Sequence, residues 1–275
     1  MTFLDKLTSA VEKNNSLLCI GLDSERGKLP HHLGNHDDAQ FAFNKAIIDA
    51  TRDVVCSYKI NSAFYEAEGT SGITQLKKTC DYLRLQFPDI PVILDAKRAD
   101  IGNTNNGSVT FAFDWLAVDA ITIHPYLGME AVRPFLDRKD KGVFILCRTS
   151  NPGAGEFQDL EINGKMLYKI VAERVTEAWN YNGNCGLVVG ATYPTEIKNV
   201  RHIIGSDLPL LIPGIGAQGG DIEQTVKAGV DSTGKRAIIH SARSIIFASS
   251  GEDFGQKARE EAIKLRDTIN IYRKN

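Results

Sequence analysis

The chain has 275 residues, of which 43% are hydrophobic and 24% charged, and a formal net charge of −2. That length suits one large α/β domain or two small ones, and a single domain over residues 1–275 is expected because no linker or low-complexity tract interrupts it. There is no basic field for nucleic acid, no run near the roughly eighteen apolar residues of a membrane span, and the opening MTFLDKLTSAVEKNN is too charged for a signal peptide, so a cytoplasmic protein acting on a small molecule is expected.

Phe3 to Lys13 is amphipathic and predicts a short N-terminal helix. Apolar runs then recur at Leu17–Asp23, Val54–Ile60, Pro91–Leu94, Ala120–Ile123, Gly142–Cys147, Gly186–Gly190, Leu208–Ile212 and Arg236–His240. Between and after them, helical spacing marks Ala39–Asp53, Thr70–Phe87, Asn105–Leu116, Met129–Arg138, Gly164–Asn182, Thr195–Ile204, Gly220–Ala228 and Phe254–Tyr272. Strands that are apolar throughout, rather than alternating, belong to a parallel sheet buried on both faces. Eight such units predict an α/β fold, a (β/α)8 TIM barrel with a short N-terminal helix, since open doubly wound sheets more often stop at five to seven strands.

In that fold the active site lies at the carboxyl ends of the strands. The polar residues fall there: Asp23, Lys59 and Asn61, Asp95 and Lys97, His124, Arg148 and Ser150, Thr192, Pro213 and Gly214, and Ser241 to Arg243. The five cysteines are odd in number and lack a Cys-x-x-Cys pair, so they read as reduced and buried; the histidines show no ligand spacing, and no metal is expected.

The third run is the most informative. PVILDAKRADIGNT, residues 91–104, is a buried strand ending in Asp95, Lys97, Arg98 and Asp100. Alternation across a strand would put Asp95 and Lys97 on the face of Ile93, aimed at one point. Each would keep the other ionised, and an ammonium held by carboxylates can donate a proton to a developing carbanion. An ordinary salt bridge at a strand end is the competing explanation. Two loops add to the picture. SNPGAGEFQDLEINGK, residues 150–165, is too long for a plain turn and suggests a lid or rim hairpin. PGIGAQGG, residues 213–220, lets backbone approach a ligand closely, with Gln218 as its long hydrogen-bonding side chain. With Arg243 after the eighth run, it occupies the place where barrels commonly grip phosphate.

Asp95-Ala96-Lys97-Arg98-Ala99-Asp100-Ile101-Gly102-Asn103-Thr104 resembles the Asp-x-Lys-x-x-Asp signature of the orotidine 5'-monophosphate decarboxylases, and PGIGAQGG resembles that family's phosphate loop. The resemblance runs from Leu18 to about Ala248. It implies cofactor-free decarboxylation of orotidine 5'-monophosphate to UMP and CO2, the last step of de novo pyrimidine (UMP) biosynthesis. By the same resemblance Lys97, Asp95, Asp100 and Lys59 would be catalytic, and Asp23, Ile101, Thr104, Ser150, Pro213, Gln218, Ala242 and Arg243 would bind substrate. Asp100 and Thr104 would enter the neighbouring subunit's site, making a homodimer with shared active sites. Ala99 stands where the family would most often have glycine, and the 150–165 segment is longer than in compact members.

Other readings compete. A metal-dependent sibling, such as 3-keto-L-gulonate 6-phosphate decarboxylase, would need acidic ligands, for which Glu66 or Glu68 would serve. A Schiff-base aldolase would need an unprotonated Lys97, which flanking carboxylates oppose. A non-catalytic nucleotide-phosphate binder would have no use for the Asp95, Lys97, Asp100 set.

Overall fold

Continuous apolar runs leave no side of a strand fit for water, and the chain buries them by closing the sheet on itself. The computed structural model describes residues 1–34, 36–216 and 219–273. Its strands are β1 (Leu18–Gly21), β2 (Ser57–Asn61), β3 (Val92–Arg98), β4 (Ala120–Ile123), β5 (Gly142–Arg148), β6 (Glu161–Ile162), β7 (Lys165–Met166), β8 (Cys185–Val189), β9 (Leu210–Pro213) and β10 (Ala237–Ser241). All but β6 and β7 form a closed parallel barrel in the order β1-β10-β9-β8-β5-β4-β3-β2. Helices lie between the barrel strands, so the (β/α)8 TIM barrel expected from the runs is the fold.

The N-terminal helix, Phe3–Lys13, starts on a capping box between Thr2 and Asp5 and buries Phe3, Leu7, Ala10 and Val11, one face at helical spacing. Phe3 meets Phe144 of β5 edge to face, with ring centroids 5.6 Å apart. Any side chain at Gly142 would collide with the Phe3 ring, so glycine at the start of β5 gives this helix its seat. Lys6 reinforces it through Asp119 at 2.8 Å.

The expected helix from Gly164 begins instead at Leu167, because residues 161–166 pair as the antiparallel hairpin β6–β7. Asn163 and Gly164, with φ of 52° and 77°, make the two-residue turn that such hairpins favour. All five cysteines are free and buried. Among the described residues no helix is long and apolar enough to cross a membrane.

Candidate active site

The centre of the barrel mouth is the Asp95 carboxylate. Its Oδ2 accepts from Lys59 Nζ at 2.8 Å, and its Oδ1 accepts from Lys97 Nζ at 2.7 Å and from Thr122 Oγ1 at 2.8 Å. Lys59 Nζ also lies 3.9 Å from Asp23 Oδ1. β1, β2, β3 and β4 are successive neighbours in the barrel, so four adjacent strands or their ends deliver these groups to one spot. Burial alone would raise the Asp95 pKa, but Lys59 and Lys97 override it and hold the carboxyl well below the usual carboxylate range. Burial likewise favours loss of the Lys59 proton, yet Asp23 and Asp95 overcome this and raise its pKa. Asp95 and Lys59 both stay charged.

Asp95 and Lys97 do meet, although not by simple alternation. The pairing of β3 with β4 slips between Leu94 and Arg98, and Lys97 has φ of +48°. A bulge re-aims side chains at a strand end. Lys97 therefore leaves the strand pattern and bends back onto Asp95, its backbone N–H held by Thr122 Oγ1 at 3.1 Å. Its side chain is 48% exposed, whereas that of Lys59 is 4% exposed, so Lys97 is the ammonium that faces the open mouth. Ala99 follows with φ of +140°, a conformation natural to glycine.

Asp100, Ile101 and Thr104 are exposed and are not drawn into the array of their own chain. Asn105, fully buried, shapes their loop: its Oδ1 accepts from Asp100 N–H at 2.8 Å, and its amide donates to the carbonyls of Asp100 and Ala131. Glu66 pairs with Arg98, and Glu68 lies 3.7 Å from Arg26. Both carboxylates weighed as metal ligands are thus committed to guanidinium groups. Among the described residues no group of three or more metal-ligating side chains comes together.

On the opposite rim, the β9 and β10 loops come together. Gly214, Gly216 and Gly219 all have positive φ, and Gly220 N–H donates to the Gly214 carbonyl at 3.2 Å, folding the loop back on itself. Ser241 Oγ donates to the Ile215 carbonyl at 3.4 Å, and Gly216 abuts Ser244. Arg243 opens the short helix Arg243–Ile246, is exposed, and forms no ion pair among the described residues. Pro213 ends β9 and Ala242 precedes Arg243, while Gln218 lies outside the described residues. Ser150 sits beyond β5 against Gly190, where a Cβ would come within 2.6 Å of its own.

The 150–165 segment is clipped to the rim rather than left free. Arg148, 3% exposed, pairs with Asp159 at 2.9 Å and stacks 4.0 Å from the Tyr193 ring centroid. Gln158 and Thr149 share further hydrogen bonds. Sequence reasoning missed Thr122, Asn105 and Asp159. Thr122 alone left a signal, as the one hydroxyl in an otherwise apolar run.

Several of the buried polar atoms with no hydrogen-bond partner among the described residues lie at or just past the ends of β1, β4, β8 and β10: Asp23 Oδ1, His124 Nδ1, Thr192 Oγ1 and His240 Nε2. Such groups are costly unless something else completes them.

Residues 16–258 match the model of the orotidine 5'-phosphate decarboxylase / HUMPS family. The chain is 50% identical over 273 residues to a protein of Azoarcus sp. (strain BH72) named orotidine 5'-phosphate decarboxylase, covering 99% of this chain and 100% of that one. A Cellvibrio japonicus (strain Ueda107) protein of the same name is 48% identical over 275 residues, covering 99% and 100%. Among solved structures, Leishmania donovani OMP decarboxylase superposes with a TM-score of 0.83 at 36% identity, over 97% of this chain and 100% of that one. Leishmania donovani UMP synthase gives 0.85 at 37% identity over 97% of this chain, which spans 57% of that longer protein.

Proposed function

The chain belongs to the orotidine 5'-phosphate decarboxylase / HUMPS family, and from that premise we propose that it is an orotidine 5'-monophosphate decarboxylase, a carboxy-lyase forming UMP and CO2. The observation that carries this reading is the charged array at the barrel mouth, with Asp95 between two ammonium groups and Lys97 the more open of them.

In this scheme the C6–carboxylate bond breaks, its electron pair stays on C6, and CO2 leaves. Asp95 crowds the departing carboxylate, and Lys97 stabilises the charge at C6 and then protonates it. Lys59 keeps Asp95 ionised and in place. In this reading Asp23 and Lys59 contact the sugar hydroxyls, and Ser150 hydrogen-bonds the pyrimidine. The β9 loop with Gln218, Pro213, Ala242 and Arg243 grips the phosphate, whose binding energy organises the remote reacting centre. The chemistry calls on no cofactor.

We also propose a cytoplasmic homodimer in which Asp100, Ile101 and Thr104 complete the neighbouring site. Their exposure supports this, 60% for the apolar Ile101, as does that of Tyr126, which is 83% exposed on the adjoining β4 loop. The commitment of Glu66 and Glu68 to arginines favours this activity over a metal-dependent sibling.

Incubation of the purified protein with orotidine 5'-monophosphate in EDTA tests the activity. Steady loss of the substrate's ultraviolet absorbance is expected, and unchanged absorbance would overturn the reading.

A further inference from the structure

TIM-barrel interiors are filled mainly by branched apolar side chains. Beside Gly21 this one carries an imidazole. His240 of β10 is in register with Cys19 of β1 and with Pro213 of β9, and is 7% exposed. Its Nε2 has no hydrogen-bond partner among the described residues. The ring stands against Gly21, where a Cβ would fall 2.5 Å from Nε2, so the glycine makes room for it. Gly21 is itself in register with Lys59. Burial keeps the imidazole neutral, and it feels the charges of Lys59, Asp95 and Lys97. Leucine would fill the same volume without an unbonded nitrogen, so packing alone does not account for the residue.

We propose that His240 is a further substrate-positioning residue, whose imidazole hydrogen-bonds an oxygen of the bound nucleotide, either a ribose hydroxyl or a carbonyl of the ring. The ligand settles on the Lys59, Asp95, Lys97 array, and a turn of the ring about its Cβ–Cγ bond brings Nε2 away from Gly21 to meet it. A neutral imidazole suits this place because a third cation beside two lysines would be repelled, and because it can serve as donor or acceptor.

This inference rests on the decarboxylase reading, which turnover of orotidine 5'-monophosphate by the unmodified enzyme tests separately. The experiment compares binding of UMP and 2'-deoxyUMP, with kcat and KM, for His240→Leu and His240→Gln. Glutamine is chosen because its amide nitrogen reaches the position of Nε2. His240→Leu is expected to weaken UMP about five- to tenfold, with KM rising by a like factor and kcat changing less, and His240→Gln to return within about twofold of the unmodified enzyme. A penalty for UMP but not for 2'-deoxyUMP places the contact on the 2'-hydroxyl, and an equal penalty places it on another oxygen. UMP affinity of His240→Leu within about twofold of the unmodified enzyme, or a glutamine variant as weak as the leucine one, overturns the proposal. Should His240→Leu fail to fold, His240→Met takes its place in the same comparison.

Discussion

Lys59 and Asp95 meet inside the barrel at 2.8 Å, with side chains only 4% and 11% exposed. An ion pair so placed is costly to break from one side, because the survivor is left buried and charged. Asp95→Asn is therefore expected to cost about 3 kcal/mol in urea unfolding, and the double variant Lys59→Met with Asp95→Asn less than the sum of the two single changes. Strict additivity would show that the two groups do not depend on each other.

Lys97 carries the opposite expectation. Half exposed, it can be lost without burying an unpaired charge, since Asp95 retains Lys59 and Thr122. Lys97→Ala should keep the fold and its melting temperature while lowering kcat by about a thousandfold or more. Appreciable UMP formation by this variant would remove Lys97 from its assigned role.

What the sequence discloses and what it hides follows from the range of the interactions. The barrel strands are visible as local apolar runs, and the rim charges are visible because they end those runs. Thr122 is 27 residues from the carboxylate it serves, and Asp159 is 11 residues from Arg148, so their partnerships exist only once β3, β4 and the β5 loop are in place. The bend at Lys97 escapes an alternation argument because a register slip against β4 creates it. A rim hairpin is legible in the 150–165 segment, but its bounds are not, because the two-residue strands around Asn163-Gly164 leave too little periodicity to compete with a helical pattern on their C-terminal side.

Ala99 pays for the sharp turn between Lys97 and Asp100. With φ of +140° and 5% exposure, it holds a glycine conformation inside packed structure. Ala99→Gly relieves strain of about 1 to 3 kcal/mol and gives back about 0.4 to 1 kcal/mol through the looser unfolded chain, so a modest net gain in stability is expected. A lower urea midpoint for the glycine variant would show that the alanine methyl contributes more by packing than it costs in strain.

The Arg148–Asp159 pair predicts that the 150–165 segment is held down before any ligand arrives. Asp159→Asn leaves the 3% exposed guanidinium with the Thr149 carbonyl and the Tyr193 ring but no carboxylate. Faster hydrogen exchange and proteolysis across residues 150–165 are expected, with KM rising more than kcat falls, since Ser150 begins the loosened segment. Equal exchange in both proteins would mean that the hydrogen bonds between Thr149 and Gln158 suffice as the fastening.

Acid should expose His240 before it exposes Asp95. The histidine's pKa is lowered in the fold, chiefly by burial and then by Lys59 and Lys97 against the opposing pull of Asp95, while its unfolded value is about 6.5. Below that pH the unfolded chain takes up a proton that the folded one refuses, so stability falls as pH drops, by up to about 1.4 kcal/mol per pH unit, and is unaffected by this group above it. Asp95 has a depressed folded pKa, so its contribution is fully present above its unfolded value of about 3.9 and is lost only as pH falls below that. The two windows are separate. Urea unfolding at pH 3 to 7.5 should show a downward slope below about pH 6.5 that is shallower in His240→Gln, while both proteins lose stability together below about pH 4. Identical slopes between pH 5 and 6.5 would mean that the imidazole is charged in the folded protein after all.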